Sequence, residues 1–462
     1  MDGENYRPVS DIIFVSKITE AVVFEQIYQH FQSNGLWHPN HHGFKAHHST
    51  TTALAQLYDL WVRGSEEREL TAALLLDLSA AFDIVNHGIL VEKLDLYNFS
   101  LATCAWFRSY LSNRSQYVMV ESRLSDPLPV GNQGVPQGSL LGPLCFMIFY
   151  NDFPAVRESG ESVLYADDDT DCCSSKDPLD LQQKIQHEAN LSTMWVNDNQ
   201  LVCSGAKTKL LIIGTRELRN SKLSNHNISI SINVAGHQIQ ESISERLLGM
   251  IVNNTLTWHE HLYGNNEHKG LLQKLSQRAG LIRKLSKLMP SARLKIIANG
   301  IFFSLLNYGI QVYGSVSGLL DYREDVGRYL AMTRDDSKNI QIIINVVLRS
   351  LTNLDNETPV RVLLEKSGFL SFHQMCAFST VCMTRKIIIS KQPSYLYDIL
   401  LESMCNNDIR RRKLRSNSLN YKLSASRESF LFQAVRLYSR LPDDLIRISN
   451  ILGFKMKAKI CI

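Results

Sequence analysis

The sequence predicts an α+β protein whose first part mixes strands with helices and whose second part is mostly helical. Residues 1–263 contain apolar runs of strand length beside apolar residues at helical spacing. From residue 264 onward the helical spacing dominates. A composition of 44% hydrophobic and 20% charged residues is that of a globular chain, and 462 residues suffice for two or three domains.

Two helices are predicted before the first strand. The apolar residues of the first, Ile18 to Phe31, are Ile18, Val22, Val23 and Ile27. The second, Ser49 to Val62, opens on Ser49 and Thr50, which are residue types that cap helix N-termini.

Acidic residues stand at the ends of predicted strands. The run Leu70 to Leu78 predicts a buried strand with Asp77 at its tip. Ser162 to Ala166 and Thr170 to Ser174 predict a hairpin whose turn holds Asp167 to Asp169. Such carboxylates can hold two magnesium ions for phosphoryl transfer. Taken alone, an Asp-Asp pair fits an ordinary turn better, because Asp tolerates turn geometry.

The charge is divided unevenly along the chain. Residues 264–462 hold 31 Lys and Arg against 15 Asp and Glu, whereas residues 1–263 hold 18 against 30. An acidic half can supply metal ligands and a basic half can follow a phosphate backbone. On charge alone, two solvated surfaces explain the division better.

The first helical pattern after residue 264 combines an apolar stripe with basic residues. The stripe consists of Leu271, Leu272, Leu275, Ile282, Leu285 and Leu288. The basic residues are Lys269, Lys274, Arg278, Arg283, Lys284 and Lys287. Farther on, Arg323 to Lys338 is interpreted as a linker or exposed turn. The run Arg410 to Arg415 fits a localisation signal, a nucleic-acid contact or an exposed charged loop.

The sequence excludes a secreted protein with a signal peptide, a membrane-spanning protein, and a fold built on zinc sites or disulfides. The N-terminus lacks a basic patch followed by an apolar run, and the longest apolar stretches are too short to cross a bilayer. Nine scattered cysteines form no zinc or disulfide pattern. We therefore expect an intracellular protein of the nucleus or cytoplasm, without a membrane partner; protein partners stay unknown.

An ordered series of segments carries a family resemblance. The segments are residues 6–23, 42–54, 72–87 (AALLLDLSAAFDIVNH), 133–152 (QGVPQGSLLGPLCFMIFYND), 164–168 (LYADD), 207–215, 245–258, 307–314 and 429–445. In this order the segments resemble the fingers motifs, motifs A to E and the thumb and C-terminal signatures of non-LTR retrotransposon (LINE, jockey/CR1-like) reverse transcriptases. The resemblance covers nearly the whole chain.

The resemblance implies a right-hand polymerase fold. Partial fingers and a palm with an antiparallel sheet would occupy residues 1–253, a helical thumb 254–320, and a mostly helical C-terminal region 321–462. The implied activity is RNA-directed DNA polymerisation, in which two Mg²⁺ ions assist transfer of dNTPs to a DNA primer on an RNA template.

The resemblance also implies roles for single residues. Asp77, Asp167 and Asp168 would be the metal-binding catalytic carboxylates, and Phe82 would be a steric gate against ribonucleotides. Gln137, Gly138, Lys207 and Lys45 would bind the nucleotide. The six basic residues between Lys269 and Lys287 would contact nucleic acid. A core aromatic and a solvated lysine are the alternatives for Phe82 and Lys207.

The sequence departs from the family pattern in several places. It opens inside the fingers, which predicts an N-terminally truncated copy, and Lys45 stands where arginine is usual. Asp169 and Asp171 place charge on a strand expected to be half buried, which we interpret as drift in a decaying copy. An inactive relic and a non-catalytic nucleic-acid-binding protein are therefore alternatives. Polymerisation of ribonucleotides is a third, which Phe82 disfavours.

Overall fold

The computed structural model describes residues 10–314, 334–413 and 429–461. Most of the predicted linker at Arg323 to Lys338, the last two residues of the basic run at Arg410 to Arg415 and the start of the 6–23 segment lie outside the described residues. Within the described ranges, no helix combines the length and the apolar character that a membrane crossing requires.

A twisted sheet, six-stranded within the described residues, forms the centre of the first half. Its order is β6-β7-β1-β8-β10-β9. The strands are β1 (Leu70–Leu76), β6 (Glu161–Tyr165), β7 (Asp168–Ser175), β8 (Lys209–Ile213), β9 (Ser231–Val234) and β10 (His237–Ser242). Every pair is antiparallel except β8 with β10, which run parallel. The predicted antiparallel sheet is thus confirmed apart from this pair.

Two predicted strand boundaries are wrong in detail. β1 ends at Leu76, so that Asp77 follows the strand. β7 already begins at Asp168, so that the predicted turn of Asp167 to Asp169 shrinks to Ala166 and Asp167. The reason is the left-handed backbone of Ala166 (φ 59°), which closes the hairpin within two residues.

Helices cover both faces of the sheet. They are α1 (Phe14–Ser33), α2 (Thr50–Glu66), α3 (His87–Leu96), α4 (Leu101–Leu111), α5 (Leu141–Tyr150), α6 (Pro178–Asp198) and α7 (Arg216–Lys222). Four short strands between α4 and α5 pair as two small ladders: β2 (Ser115–Gln116), β3 (Met119–Val120), β4 (Arg123–Leu124) and β5 (Leu128–Pro129).

Both predicted N-terminal helices form, but the buried face of α1 is not the one that was predicted. Ser49 caps α2 by accepting a hydrogen bond from the Thr52 backbone, as its residue type predicts. On α1, however, Ile18 and Val22 are exposed. The buried stripe passes instead through Glu20, Ile27 and Phe31, because that face packs against α5.

A hairpin and then helices follow the sheet. The hairpin strands are β11 (Ser244–Leu247) and β12 (Met250–Asn253). The helices are α8 (His259–Tyr263), α9 (Leu271–Leu285), α10 (Ser291–Ala298), α11 (Ser304–Asn307), α12 (Ile310–Tyr313), α13 (Arg334–Thr352), α14 (Val360–Ser367), α15 (Phe372–Ser390), α16 (Ser394–Lys413), α17 (Phe430–Tyr438), α18 (Asp443–Ile446) and α19 (Ile451–Cys461). The predicted change to helix after residue 264 is confirmed, and with it the α+β class.

One hydrophobic core joins the sheet to the later helices. Trp61 of α2, Phe302 between α10 and α11, Ile344 of α13 and Phe430 of α17 all belong to it. A second core, on the other sheet face, lies among α3, α5 and α6. The first core includes residues on both sides of the predicted divisions at residues 253 and 320. The domain boundaries stay predictions.

Candidate functional site

The paired strands β1 and β7 bring the predicted metal-binding carboxylates together. Leu76 is paired with Asp169, so the next position along this antiparallel ladder sets Asp77 opposite Asp168. Asp167 lies in the two-residue turn beside them. Residues about ninety positions apart in the sequence therefore meet where β1 ends and β7 begins. We call this end of the two strands, with Asp77, Asp167 and Asp168, the carboxylate edge.

The donor chemistry of this edge fits magnesium. Carboxylate oxygens are the protein ligands that Mg²⁺ prefers, and the ion takes further ligands from water and substrate phosphates. In the described ranges, no group of three His, Cys, Asp or Glu side chains is already arranged as a metal cage. The magnesium-binding role of the three aspartates therefore stays a prediction.

The backbone of Asp77 is held by the segment that contains Lys207. The Ser204 N–H donates to the Asp77 carbonyl at 2.8 Å, and the Asp77 N–H donates to the Thr208 hydroxyl at 3.3 Å. Lys207 is exposed beside Thr208. The structure thus places this lysine next to the carboxylate edge, and its contact with a triphosphate stays a prediction.

The turn after Asp77 packs against the loop that precedes α5. The Phe82 ring stacks on Phe146 with centroids 4.4 Å apart, and the Val135 N–H donates to the Phe82 carbonyl at 2.8 Å. The Gln137 side-chain amide donates to Asp83 at 2.8 Å. Phe82 and Gln137 are therefore both held at the turn that follows Asp77.

Two glycines of this loop are required by its geometry. Gly134 and Gly138 have φ of 86° and 103°, where side chains other than glycine are strained. A Cβ on Gly134 would also lie 2.7 Å from the Asp83 carbonyl oxygen. The nucleotide contact predicted for Gly138 stays a prediction.

Comparison with known proteins identifies the family. The family described as "Reverse transcriptase (RNA-dependent DNA polymerase)" matches residues 2–279. The chain belongs to the reverse transcriptase family. The resemblance inferred from the motifs is confirmed, as is the right-hand polymerase fold that it implies.

The similar proteins are encoded by mobile elements. The chain is 26% identical to the RNA-directed DNA polymerase from mobile element jockey of Drosophila melanogaster, over 68% of this chain and 33% of that protein. It is 24% identical to the probable RNA-directed DNA polymerase from transposon BS of the same species, over 76% of this chain and 36% of that protein. The chain spans about a third of the length of these curated relatives.

A solved structure shows a more distant likeness. Apo telomerase from Candida tropicalis matches 80% of this chain and 58% of its own, with a TM-score of 0.40 and 12% identity.

Lys45 of this reverse transcriptase has a structural contact. Its ammonium donates to the His38 carbonyl at 2.9 Å, and burial lowers the pKa of Lys45 to about 8. The preceding residues extend the sheet edge, because the Leu164 N–H donates to the Asn40 carbonyl at 2.9 Å and the His42 N–H to the Leu164 carbonyl at 2.7 Å. Lys45 thus lies near the carboxylate hairpin, and its predicted nucleotide contact stays untested.

Two adjacent histidines beside this edge differ in their hydrogen bonding. The His42 ring is bonded to Thr52 at 2.9 Å and to Gln56 at 2.8 Å. The His41 ring is 0% exposed, and neither nitrogen has a partner among the described residues. Burial is the main cause that lowers the pKa of His41 to about 3. The His41 imidazole is therefore neutral when the protein is folded.

Glu20 is a buried carboxylate that the sequence patterns missed. It accepts hydrogen bonds from the Tyr110 hydroxyl at 2.9 Å and from the Leu140 backbone N–H at 2.9 Å. Leu140 immediately precedes α5, so the carboxylate lies at the positive end of that helix. Glu20 thereby connects α1 to the loop of Gln137 and Gly138. Its place on the buried face of α1, rather than its spacing in the sequence, reveals this role.

The predicted basic helix presents two flanks rather than one stripe. On α9, Lys274 and Arg278 lie four residues apart on one side of the buried face, and Arg283 lies on the other side, with Lys287 in the turn that follows the helix. The Arg278 guanidinium also donates to the Ile301 carbonyl. The remaining predicted contacts, Lys269 and Lys284, are exposed. The Leu288 side chain, predicted to be buried, is 79% exposed because α9 ends at Leu285.

Tyr308 joins the later helices to the β11–β12 hairpin. Its hydroxyl donates to the Leu248 carbonyl at 2.5 Å, and the Thr50 hydroxyl lies within hydrogen-bonding distance of the same oxygen, at 3.1 Å. Burial raises the pKa of Tyr165, and the nearby Tyr308 and Asp168 raise it further. Tyr308 therefore lies close to the carboxylate edge. The sequence motif alone did not indicate this position.

Replacement of Glu20 should destabilise the protein. In Glu20→Ala the Tyr110 hydroxyl and the Leu140 N–H lose their acceptor, which should lower the free energy of unfolding by about 1–3 kcal/mol. Equilibrium urea denaturation measures the change. Glu25→Ala, an exposed glutamate of the same helix, is the matched control. Equal stability of the two variants would contradict the role of Glu20.

Acidification should destabilise the protein through His41. The pKa of His41 is about 6.5 when unfolded and about 3 when folded. Below pH 6.5 the unfolded chain therefore binds a proton that the folded protein excludes, so stability falls as the pH drops toward 4. His41→Phe should reduce the loss between pH 7 and pH 5 by about 1–2 kcal/mol.

Urea denaturation at both pH values checks this, with His226→Phe as a control because His226 is exposed. The same loss of stability in wild type and His41→Phe would rule out His41 as a source of the acid sensitivity.

Proposed function

We propose that this chain carries the polymerase activity of a non-LTR retrotransposon protein, extending a DNA primer on an RNA template with dNTPs. The observation that supports this most is the meeting of Asp77 with Asp167 and Asp168 at one sheet edge, beside the loop of Gln137 and Gly138. The names of the curated relatives support the same activity.

In this proposal Asp77, Asp167 and Asp168 hold two Mg²⁺ ions. Bound magnesium supplies Lewis-acid stabilisation of the attacking and leaving oxygens. The carboxylates lie where the paired strands β1 and β7 end and begin, so in this proposal their spacing is set before substrate arrives, and little reorganisation is needed at the moment of reaction.

Other residues of the proposed site select and orient the nucleotide. The Phe82 ring, supported by Phe146, blocks the space that a ribose 2′-hydroxyl needs. Gln137 and Gly138 shape the pocket, and the exposed Lys207 offers a positive charge to the triphosphate. The basic flanks of α9 bind the phosphate backbone without sequence preference.

The second candidate function is nucleic-acid binding without catalysis. The exposed cations of α9 and its flanking residues favour it, since Lys269, Arg283, Lys284 and Lys287 all face solvent. Binding of this kind weakens steeply with salt and does not depend on Asp77.

Asp167→Asn should abolish primer extension. The loss of one metal-binding carboxylate should lower the rate by at least about a hundredfold, because metal ions supply several kcal/mol of transition-state stabilisation. Extension of a DNA primer on an RNA template with Mg²⁺ and dNTPs measures it. Asp198→Asn, an exposed carboxylate at the end of α6, should extend normally.

Extension by Asp167→Asn at the wild-type rate would refute the metal role. If folded wild type binds primer–template yet extends nothing, the non-catalytic candidate replaces the polymerase.

Phe82→Ala should relax the choice of sugar. Without the ring, a ribonucleotide meets less steric opposition, and its disadvantage in kcat/KM against the matching dNTP should shrink roughly tenfold or more. Single-nucleotide insertion with each substrate measures the ratio. Phe44→Ala removes an exposed ring and should leave the ratio unchanged. Unchanged selectivity in Phe82→Ala would assign Phe82 to the core.

A further inference from the structure

A buried charge network lies behind the hairpin that carries Asp167 and Asp168. The Arg157 guanidinium is 3.1 Å from the Asp171 carboxylate and 3.6 Å from the Glu188 carboxylate. The side chains of all three are at most 4% exposed. Charges withdrawn so far from water persist only where partners compensate them, so the geometry of this network is tightly constrained.

Hydroxyl groups complete the partners of Asp171. Ser162 donates to one carboxylate oxygen, and Ser192 donates to the other at 2.9 Å. Arg157 in turn donates to Ser162 at 2.8 Å and to Ser192 at 2.7 Å. Asp171 is thus a fully partnered buried carboxylate. From the sequence alone, the charge at Asp171 is interpreted as drift. The structure surrounds this carboxylate with hydrogen-bond donors and a guanidinium.

The network joins three separate pieces of backbone. Ser162 is on β6, Asp171 on β7, and Ser192 with Glu188 on α6. Glu188 also accepts a hydrogen bond from the Ser159 N–H at 2.7 Å, in the turn that leads into β6. The β6–β7 hairpin therefore contacts α6 through hydrogen bonds and ion pairs near its open end, away from the turn.

The strand register relates the position of Asp171 to the positions of Asp77 and Asp168. Asp171 is paired with Ser162 on β6 and with Leu74 on β1. Asp168 precedes Asp171 by three residues and Asp77 follows Leu74 by three, a distance of about 10 Å along each strand. A shift of β7 at Asp171 would thus move Asp168 relative to Asp77.

We propose that Arg157 and Asp171 are positioning residues that set the spacing between Asp77 and Asp168 through strands β7 and β1. The inference rests on the proposed metal role of those two aspartates. Arg157 and Asp171 themselves contact neither metal nor substrate, because alternation along β7 turns Asp171 toward α6, away from the side to which Asp168 points.

The experiment measures Mn²⁺ binding to the full chain with bound primer–template, by electron paramagnetic resonance of the free ion. Asp171→Asn keeps the size of the side chain and removes its charge. Its half-saturating Mn²⁺ concentration should rise about tenfold or more, the usual effect of losing a residue that orients a metal ligand. Ser192→Ala should shift it in the same direction by less.

The matched control is Glu158→Gln. Glu158 adjoins Arg157 and forms an exposed ion pair with His187 at 2.8 Å, so its variant should bind Mn²⁺ like wild type. Thermal melts establish that each protein is folded at the assay temperature. If Asp171→Asn does not fold, Ser192→Ala decides the outcome.

A purely structural network would lower the melting temperature of the folded variants and leave Mn²⁺ half-saturation unchanged, which would overturn the proposal. Absence of Mn²⁺ binding by wild type would also overturn it. Wild type that binds Mn²⁺ but extends no primer would refute the proposed polymerase function, and the Mn²⁺ shift would still decide the positioning role. Where extension occurs, kcat should fall in Asp171→Asn with little change in the KM for dNTP.

Discussion

The antiparallel pairing of β1 with β7 is the constraint on which the candidate site depends. These strands are far apart in the sequence, and their register alone decides which acidic residues meet. A shift of one residue would turn Asp168 to the other face of the sheet, because side chains alternate along a strand.

Polar contacts between distant segments hold the rest of the site against this pair of strands. The segment around Lys207 bonds to the backbone of Asp77, and Gln137 bonds to Asp83 in the following turn. Glu20 anchors the same loop from α1. Buried polar groups make such connections specific, because each one left without a partner costs stability. These contacts join α1, the loop before α5 and the segment around Lys207 to the part of the sheet that carries the aspartates.

The surroundings of the carboxylate hairpin contain unusual buried charge. Asp171 is compensated by Arg157, Ser162 and Ser192. Asp169, beside it, accepts no hydrogen bond within the described residues, and burial raises its pKa well above the usual range. Acidic residues in this strand are therefore no sign of decay by themselves.

Local sequence determined the α+β class, the helix cap at Ser49, the presence of a buried strand from Leu70 and the motifs that identify the family. Short-range periodicity and residue type suffice for these, because they report on neighbouring residues. Tertiary structure decided which face of α1 is buried, how the basic residues of α9 divide between two flanks, and what surrounds Glu20, Arg157, Asp171 and Tyr308. Glu20 and Tyr308 depend on partners 60 or more residues away in the sequence, and Arg157 and Asp171 depend on the packing of the β6–β7 hairpin against α6. A single sequence carries no record of which such groups will meet.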